Sequence, residues 1–196
     1  MQRIRKMSLK DYKDKRKFKS TSEPGANTGE GDKSGKGKGL VFVVQKHFAS
    51  HLHYDFRLEL DGVLKSWAIP KGPTLDPANK HLAVLVEDHP FEYKDFSGII
   101  PEGNYGAGRV EIWDEGTYLA LDSPDSKDTA HKIREGFEKG HITIILSGKR
   151  LNGEFAFIRL KKAKKNNWLL IKKNDQFTVR EWDIKVEDEA SDLKKN

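Results

Sequence analysis

The stretch from Gln45 to Leu60 constrains this chain more than any other. Its second half alternates without a break, with His53, Asp55, Arg57 and Glu59 in one parity and Tyr54, Phe56, Leu58 and Leu60 in the other. Period-two alternation over eight residues predicts a β-strand with its apolar row against a core. The other row sets an imidazole, a carboxylate, a guanidinium and a second carboxylate along one ridge. With His47 six residues before His53, two imidazoles and a carboxylate form a donor set suited to Mn or Zn. Arg57, about 7 Å along the strand from Asp55, suits phosphate oxygens. The same row also reads as a structural Asp–Arg pair among exposed histidines, and His51 shares the parity of His53. The pattern alone leaves these open.

The flanking segments read as further strands. Leu40–Val44 leads in, Asp61-Gly62 is a tight hairpin signal, and Val63–Ile69 returns as the partner strand. Leu82–His89 alternates so that Ala83, Leu85, Glu87 and His89 share one face. The loop from Ser97 to Gly108 is rich in glycine, but no Gly-Lys-Ser/Thr follows and the next element is a strand, so it is no P-loop. Arg109–Trp113 and Thr117–Leu121 read as a hairpin about Asp114-Glu115-Gly116. Residues 126–139 read as a helix with Ala130, Ile133 and Phe137 at helical spacing and Gly140 as its stop. Strands resume at 142–146, 153–160 and 168–172, the last two joined by a basic turn holding Lys161, Lys162, Lys164 and Lys165. Short strands, tight turns and a single long helix predict an all-β fold. The expected architecture is a small antiparallel β-barrel, closed or nearly closed, with one or two short helices.

Charge divides the chain. Residues 1–39 hold twelve Lys/Arg against five acids, whereas 40–196 hold 24 against 25. A basic arm at 1–39 therefore precedes a near-neutral barrel domain at 40–186, with a polar tail at 187–196 expected to be disordered. Within the arm, Ser8 caps a short helix in residues 7–18, and residues 19–39 read as a glycine-rich linker. Such an arm steers a protein toward nucleic acid or another anionic surface. There is no cysteine, hence no disulfide or thiolate site, and no apolar run long enough to span a membrane. A cytoplasmic protein, nucleoid-associated in a prokaryote, is the expectation.

Four segments carry a resemblance: Gln45 to Glu59, Leu64 to Pro73 (Leu-x-Ser-Trp-Ala-x-Pro-Lys-Gly-Pro), Val86 to Pro90, and Ile100 to Gly108 (Ile-Pro-Glu-Gly-x-Tyr-Gly-Ala-Gly). In this order they resemble the DNA 3′-phosphoesterase module of bacterial multifunctional end-joining ligases, here as its freestanding form. The resemblance implies a metal-dependent enzyme, typically with manganese (zinc or cobalt being possible). It would remove a 3′-terminal ribonucleoside from DNA by a phosphodiesterase step and then the 3′-phosphate. It assigns His47, His53 and Asp55 to the metal, and Arg57 and His89 to the scissile phosphate. Gln45, Lys71, Glu87 and Tyr93 match supporting positions, as do Arg16 and Glu23 of the arm. Lys17 stands where the family has an aspartate. Implied partners are primer-template or duplex 3′ ends bearing a ribonucleotide or phosphate, together with a separate ligase and end-joining factors. On the residues themselves His89 is either an imidazolium clamp or a general acid. Two competing readings are a non-catalytic nucleic-acid-binding barrel and a phosphoesterase acting on RNA or nucleotides.

Overall fold

A computed structural model describes residues 8–16, 18, 21–25, 39–161 and 166–193. Lys17, residues 26–38 of the glycine-rich segment, and Lys162, Lys164 and Lys165 lie outside them. Eight strands close a barrel. β1 (Leu40–Phe48), β2 (Leu52–Leu60), β3 (Val63–Ile69) and β4 (Lys80–Leu85) follow in order. β10 (Asn167–Lys172), β9 (Asn152–Arg159), β8 (His141–Gly148) and β7 (Gly108–Ala120) continue the sheet, and β7 pairs back onto β1. All pairings are antiparallel, as expected for short connections. Two short strands lie off the ring: β5 (His89–Pro90) on β3 and β6 (Gly98–Ile100) on β7.

The apolar row of β2 points into the barrel with Phe42, Val44, Trp67, Ile69, Leu146, Phe155, Phe157 and Trp168. Helix α2 (Ser126–Lys139) is capped by the Asp125 carboxylate, which accepts the Asp128 N–H at 2.9 Å, and stops at Gly140. It sets Ile133 and Phe137 against this core, and Phe137 stacks on Trp67 at 5.5 Å between ring centres. Truncating one such buried aromatic typically costs about 3–5 kcal/mol.

Four expectations change. Residues 108–120 are one strand, not a hairpin: Val44 pairs with Asp114 and Gln45 with Ile112, leaving Trp113 as the extra residue of a bulge. The Asp114 carboxylate accepts N–H groups from Glu115, Lys149, Arg150 and Leu151, so it pins the β8–β9 turn. β4 also ends early. Trp67 pairs with Leu85, but Leu64 pairs with His89, so four residues run against three. That one-residue shift moves His89 out of the row of Ala83 and Leu85 and onto the outside of the barrel. Residues 187–193 of the expected disordered tail are helical, because α3 (Ile184–Leu193) runs through them. Asp188 on α3 accepts hydrogen bonds from Tyr54 Oη and from Trp113 Nε1 (2.6 Å), and pairs with Lys46 at 2.8 Å. Finally, β2 is buried on both faces, because a second layer covers its polar ridge.

Candidate active site

That second layer makes the site. Outside the barrel, Tyr12, Leu64, Tyr93, Phe96, Ile100 and Val110 form a small cluster of their own. Tyr12 comes from α1 (Leu9–Asp14), which Ser8 opens by donating its N–H to Asp11. Tyr93 comes from the 3₁₀ turn Phe91–Asp95. Between this cluster and the barrel lies the polar row of β1 and β2. Antiparallel register sets His47 opposite His53, Gln45 opposite Asp55 and Val43 opposite Arg57.

His47, His53 and Asp55 offer three donor atoms within 4.8 Å of one another, near the spread of ligands around one ion. Each imidazole is oriented from behind by a backbone carbonyl. His47 Nε2–H donates to Gly106 O (2.8 Å) and His53 Nδ1–H to His51 O (3.0 Å). His47 Nδ1 and His53 Nε2 therefore face Asp55, at 3.5 and 3.7 Å. His47 Nδ1 is buried with no hydrogen-bond partner, and it stands beside two further donors that could share an ion with it. Burial alone would raise the Asp55 carboxyl. The Arg57 guanidinium, with the two imidazoles, outweighs it and holds the group well below the usual carboxylate range. Two imidazoles and an ionised carboxylate fit a divalent cation, and the carbonyls behind them supply the orienting contacts metal sites use. The pattern kept His51 as a candidate ligand. The structure uses its carbonyl and leaves its side chain exposed.

Arg57, only 2% exposed, is held on three sides: Nε to Gln45 Oε1 (2.6 Å), Nη1 to Ser66 Oγ (2.9 Å) and Nη2 to Asp55 Oδ2 (3.0 Å). Its plane lies 4.7 Å from the centre of the Tyr93 ring. Gln45 is fixed in turn by donating to the carbonyls of Tyr93 and Phe96. These contacts engage three of the five guanidinium N–H groups.

The opposite wall is the arm. Arg16 Nε bonds Glu23 (2.9 Å), Nη1 bonds Glu87 (3.0 Å) and Nη2 lies 3.2 Å from His89 Nε2. Its guanidinium stacks 3.8 Å from the Tyr12 ring centre. Tyr93 Oη donates to the same Glu23 carboxylate at 3.0 Å. Lys15 closes the set on Glu87 at 2.9 Å. Burial would raise Glu87, but Lys15 and Arg16 pull it below its usual value, so it stays ionised. Since arginine only donates, His89 Nε2 is an acceptor, and its one proton sits on Nδ1 facing Glu87 O (2.9 Å). Burial, then the charges of Arg57 and Arg16, push His89 well below the usual imidazole value. In the folded protein His89 is therefore a neutral ring and not an imidazolium, through burial and the charges of Arg57 and Arg16.

The structure thus brings together Gln45, His47, His53, Asp55, Arg57, Glu87, His89, Tyr93, Arg16 and Glu23. Lys71 stays apart: it is exposed in the turn after β3 and, among the described residues, bonds none of them. The sequence reading missed Lys15, Ser66 and the Gly106 carbonyl. Ser66 had a signal, since it faces Arg57 across a hairpin whose turn fixes the register. Lys15 and Gly106 had none, because their contacts join segments far apart in sequence.

Comparison with known proteins gives the lineage. Residues 45–159 match the family model described as the DNA ligase D 3′-phosphoesterase domain. The chain is 51% identical over 168 residues to the multifunctional non-homologous end joining protein LigD of Pseudomonas aeruginosa, covering 85% of this chain and 19% of that protein. The Mycobacterium tuberculosis counterpart is 48% identical over 123 residues, covering 63% of this chain and 15% of the relative. That of Mycolicibacterium smegmatis is 39% identical over 185 residues, 90% and 22% respectively. The chain spans about a fifth of the length of such relatives, and the family match over residues 45–159 contains the barrel part of the site, from Gln45 to Tyr93, but not Lys15, Arg16 or Glu23 of the arm. This chain belongs to the DNA ligase D 3′-phosphoesterase domain family.

Proposed function

We propose that this protein heals DNA 3′ ends: it hydrolyses the phosphodiester before a terminal ribonucleoside, then removes the remaining 3′-phosphate to leave a 3′-OH for end joining by a ligase. The observation that carries the reading is the unpartnered, buried His47 Nδ1 beside an ionised Asp55, with Arg57 next in line. His47, His53 and Asp55 would hold a divalent cation, manganese by family resemblance, which supplies Lewis-acid polarisation of a phosphate oxygen and of water. The protein's own groups do the rest. Arg57, rigid in its three contacts, presents its remaining N–H groups to the phosphate and offsets charge as the leaving oxygen departs. His89, neutral, holds Arg16 through Nε2, so positive charge reaches the phosphate through Arg57 and Arg16. Glu87 and Glu23 fix Arg16 from behind, and the basic arm supplies attraction to the DNA backbone.

The test is a 5′-labelled primer-template ending in one ribonucleotide, incubated with Mn²⁺ and resolved at single-nucleotide level. The expected products are the 3′-phosphate one nucleoside shorter and then the 3′-OH. A substrate left intact with manganese, cobalt and zinc alike would sink the reading in favour of a non-catalytic binder. Faster cleavage of an all-RNA strand would redirect it to RNA.

A further inference from the structure

The loop that orients His47 also carries a side chain used by neither the metal set nor the phosphate-binding groups. Between β6 and β7 the chain makes two successive turns, Asn104 N–H to Pro101 O (3.3 Å) and Ala107 N–H to Asn104 O (3.2 Å). Gly103 and Gly106 take φ of 80 and 77°, which glycine adopts without strain. Tyr105 stands between them. Its ring is 51% exposed, with Lys15 Nζ 4.7 Å and Arg16 Cζ 5.7 Å from its centre. The carbonyl of the next residue accepts the His47 Nε2–H. A half-solvated aromatic ring is thus fixed one residue from the group that aims a metal-facing imidazole, and beside the two cations that hold Glu87. Half exposed, the ring gains little from packing. Exposed rings beside cationic grooves are the surfaces on which nucleobases stack.

We propose that Tyr105 is the stacking platform for the leaving nucleoside, the one on the far side of the scissile phosphate, and so is a specificity residue for the first of the two steps. The proposal rests on the 3′-end reading above and adds a subsite to it. A diester carries a nucleoside on each side of the phosphate, whereas a 3′-phosphomonoester carries only the upstream one. A platform for the leaving side therefore contributes to ribonucleoside release and has nothing to hold during phosphate removal.

The experiment compares the parent chain with Tyr105→Ala and Tyr105→Phe on two DNAs that differ only in bearing a 3′-ribonucleotide or a 3′-phosphate. Tyr105→Ala raises KM for ribonucleoside release about 5- to 150-fold, the range for loss of one base–aromatic stack. Phosphate removal shifts by less than twofold, and Tyr105→Phe restores the first step. Equal losses on both substrates, which a merely structural role under Lys15 would give, overturn the proposal, as does no loss on either. A second readout is independent of turnover. DNA ending in a 2-aminopurine riboside is bound in EDTA, so that the bond stays intact, and its fluorescence is followed. The parent and Tyr105→Phe quench it, and Tyr105→Ala does not. Equal quenching by the parent and Tyr105→Ala defeats the platform alone. Absence of cleavage by the parent with metal defeats the end-healing reading instead.

Discussion

Phe56 and Arg57 are neighbours on β2, both almost wholly out of water, and they are held there by opposite means. Phe56 lies among Phe42, Phe157 and the rest of the barrel interior, where many small dispersion contacts add up and no one partner is essential. Arg57 lies under the arm, where Gln45, Ser66 and Asp55 each accept a directed bond. A packed face is redundant. A polar face is a chain of dependencies, in which losing one member strands the next as a buried unpaired group. On the polar face His47 Nδ1 is lined up with its neighbours and hydrogen-bonded to none, as are the indole N–H groups of Trp67 and Trp168 in the interior. What sets His47 Nδ1 apart is its place beside His53 and Asp55, which together could receive an ion.

The largest effect should come from removing that reception. His47→Ala, His53→Ala and Asp55→Ala should each lower metal-dependent end processing by at least about a hundredfold, as loss of a metal ligand typically does. The parent should gain about 2.7 kcal/mol at a Mn²⁺ concentration of 100 Kd, and these variants should gain nothing. His51→Ala, which keeps its backbone carbonyl, should retain both. Thermal melts with and without metal read the difference, and a metal-induced gain surviving in His53→Ala would remove it from the ligand set.

Next in size is the direct contrast of the two neighbours. Phe56→Ala should cost about 3–5 kcal/mol through its cavity. Arg57→Ala should cost a similar amount, because Asp55, Gln45 and Ser66 lose their partner. Acid separates the two. In the parent, the depressed Asp55 contributes stability above its unfolded value near 3.9, lost as pH falls below that. Without Arg57, burial instead raises the Asp55 carboxyl, which then takes up its proton in the folded state before the unfolded chain does. The Arg57→Ala penalty should therefore shrink between pH 7 and pH 4, while the Phe56→Ala penalty stays constant. Urea unfolding at the two pH values decides it.

Arg16 sharpens the comparison in another way, because it follows α1, which packs on the outside of the closed barrel. Arg16→Ala should leave the urea midpoint of the barrel nearly unchanged while exchange protection around Tyr12 disappears. Turnover should fall about 10- to 100-fold, the worth of one charge-assisted hydrogen bond to the phosphate. Protection retained at Tyr12 would show that the arm is held by the aromatic cluster alone.

What the sequence showed and what it hid follow the same division. The alternation of β2, the Asp61-Gly62 turn and the cap and stop of α2 are local signals, and each appears where it was expected. His47 and His53 could be paired on paper because a short connection fixes their register. The bulge at Trp113 and the extra residue before His89 could not be read, since each is defined by a partner strand distant in sequence. The burial of Arg57 depends in part on an arm that arrives from more than thirty residues upstream, with Arg16 and Glu87 seventy-one apart. Charge counts likewise gave the arm a basic character without showing that Arg16 is spent inside the protein, on Glu23 and Glu87.

The smallest expected effect tests the state of His89, on which the division of charge in the site depends. Its ring faces Arg16 from one nitrogen and the Glu87 carbonyl from the other, and burial, Arg57 and Arg16 all favour the neutral form. The folded-state value therefore lies below the unfolded one near 6.5. A group depressed in this way contributes stability that is present above the unfolded value and is lost as pH falls through the folded value. Metal-free parent protein should accordingly lose up to about 1.4 kcal/mol per pH unit below pH 6.5 on account of this one proton. His89→Gln, whose amide oxygen can still accept from Arg16 but does not titrate, should lack that slope. The measurement is the difference in unfolding free energy between the two chains in EDTA at pH 7.5, 6.5 and 5.5, where the carboxylates stay ionised. A parent that becomes more stable relative to His89→Gln on acidification would mean an imidazolium in the folded site, and Arg16 would then have to face away from it. With the neutral ring, the balance between ribonucleoside release and phosphate removal should not change between pH 7 and 9 through His89, because it carries no charge to lose there.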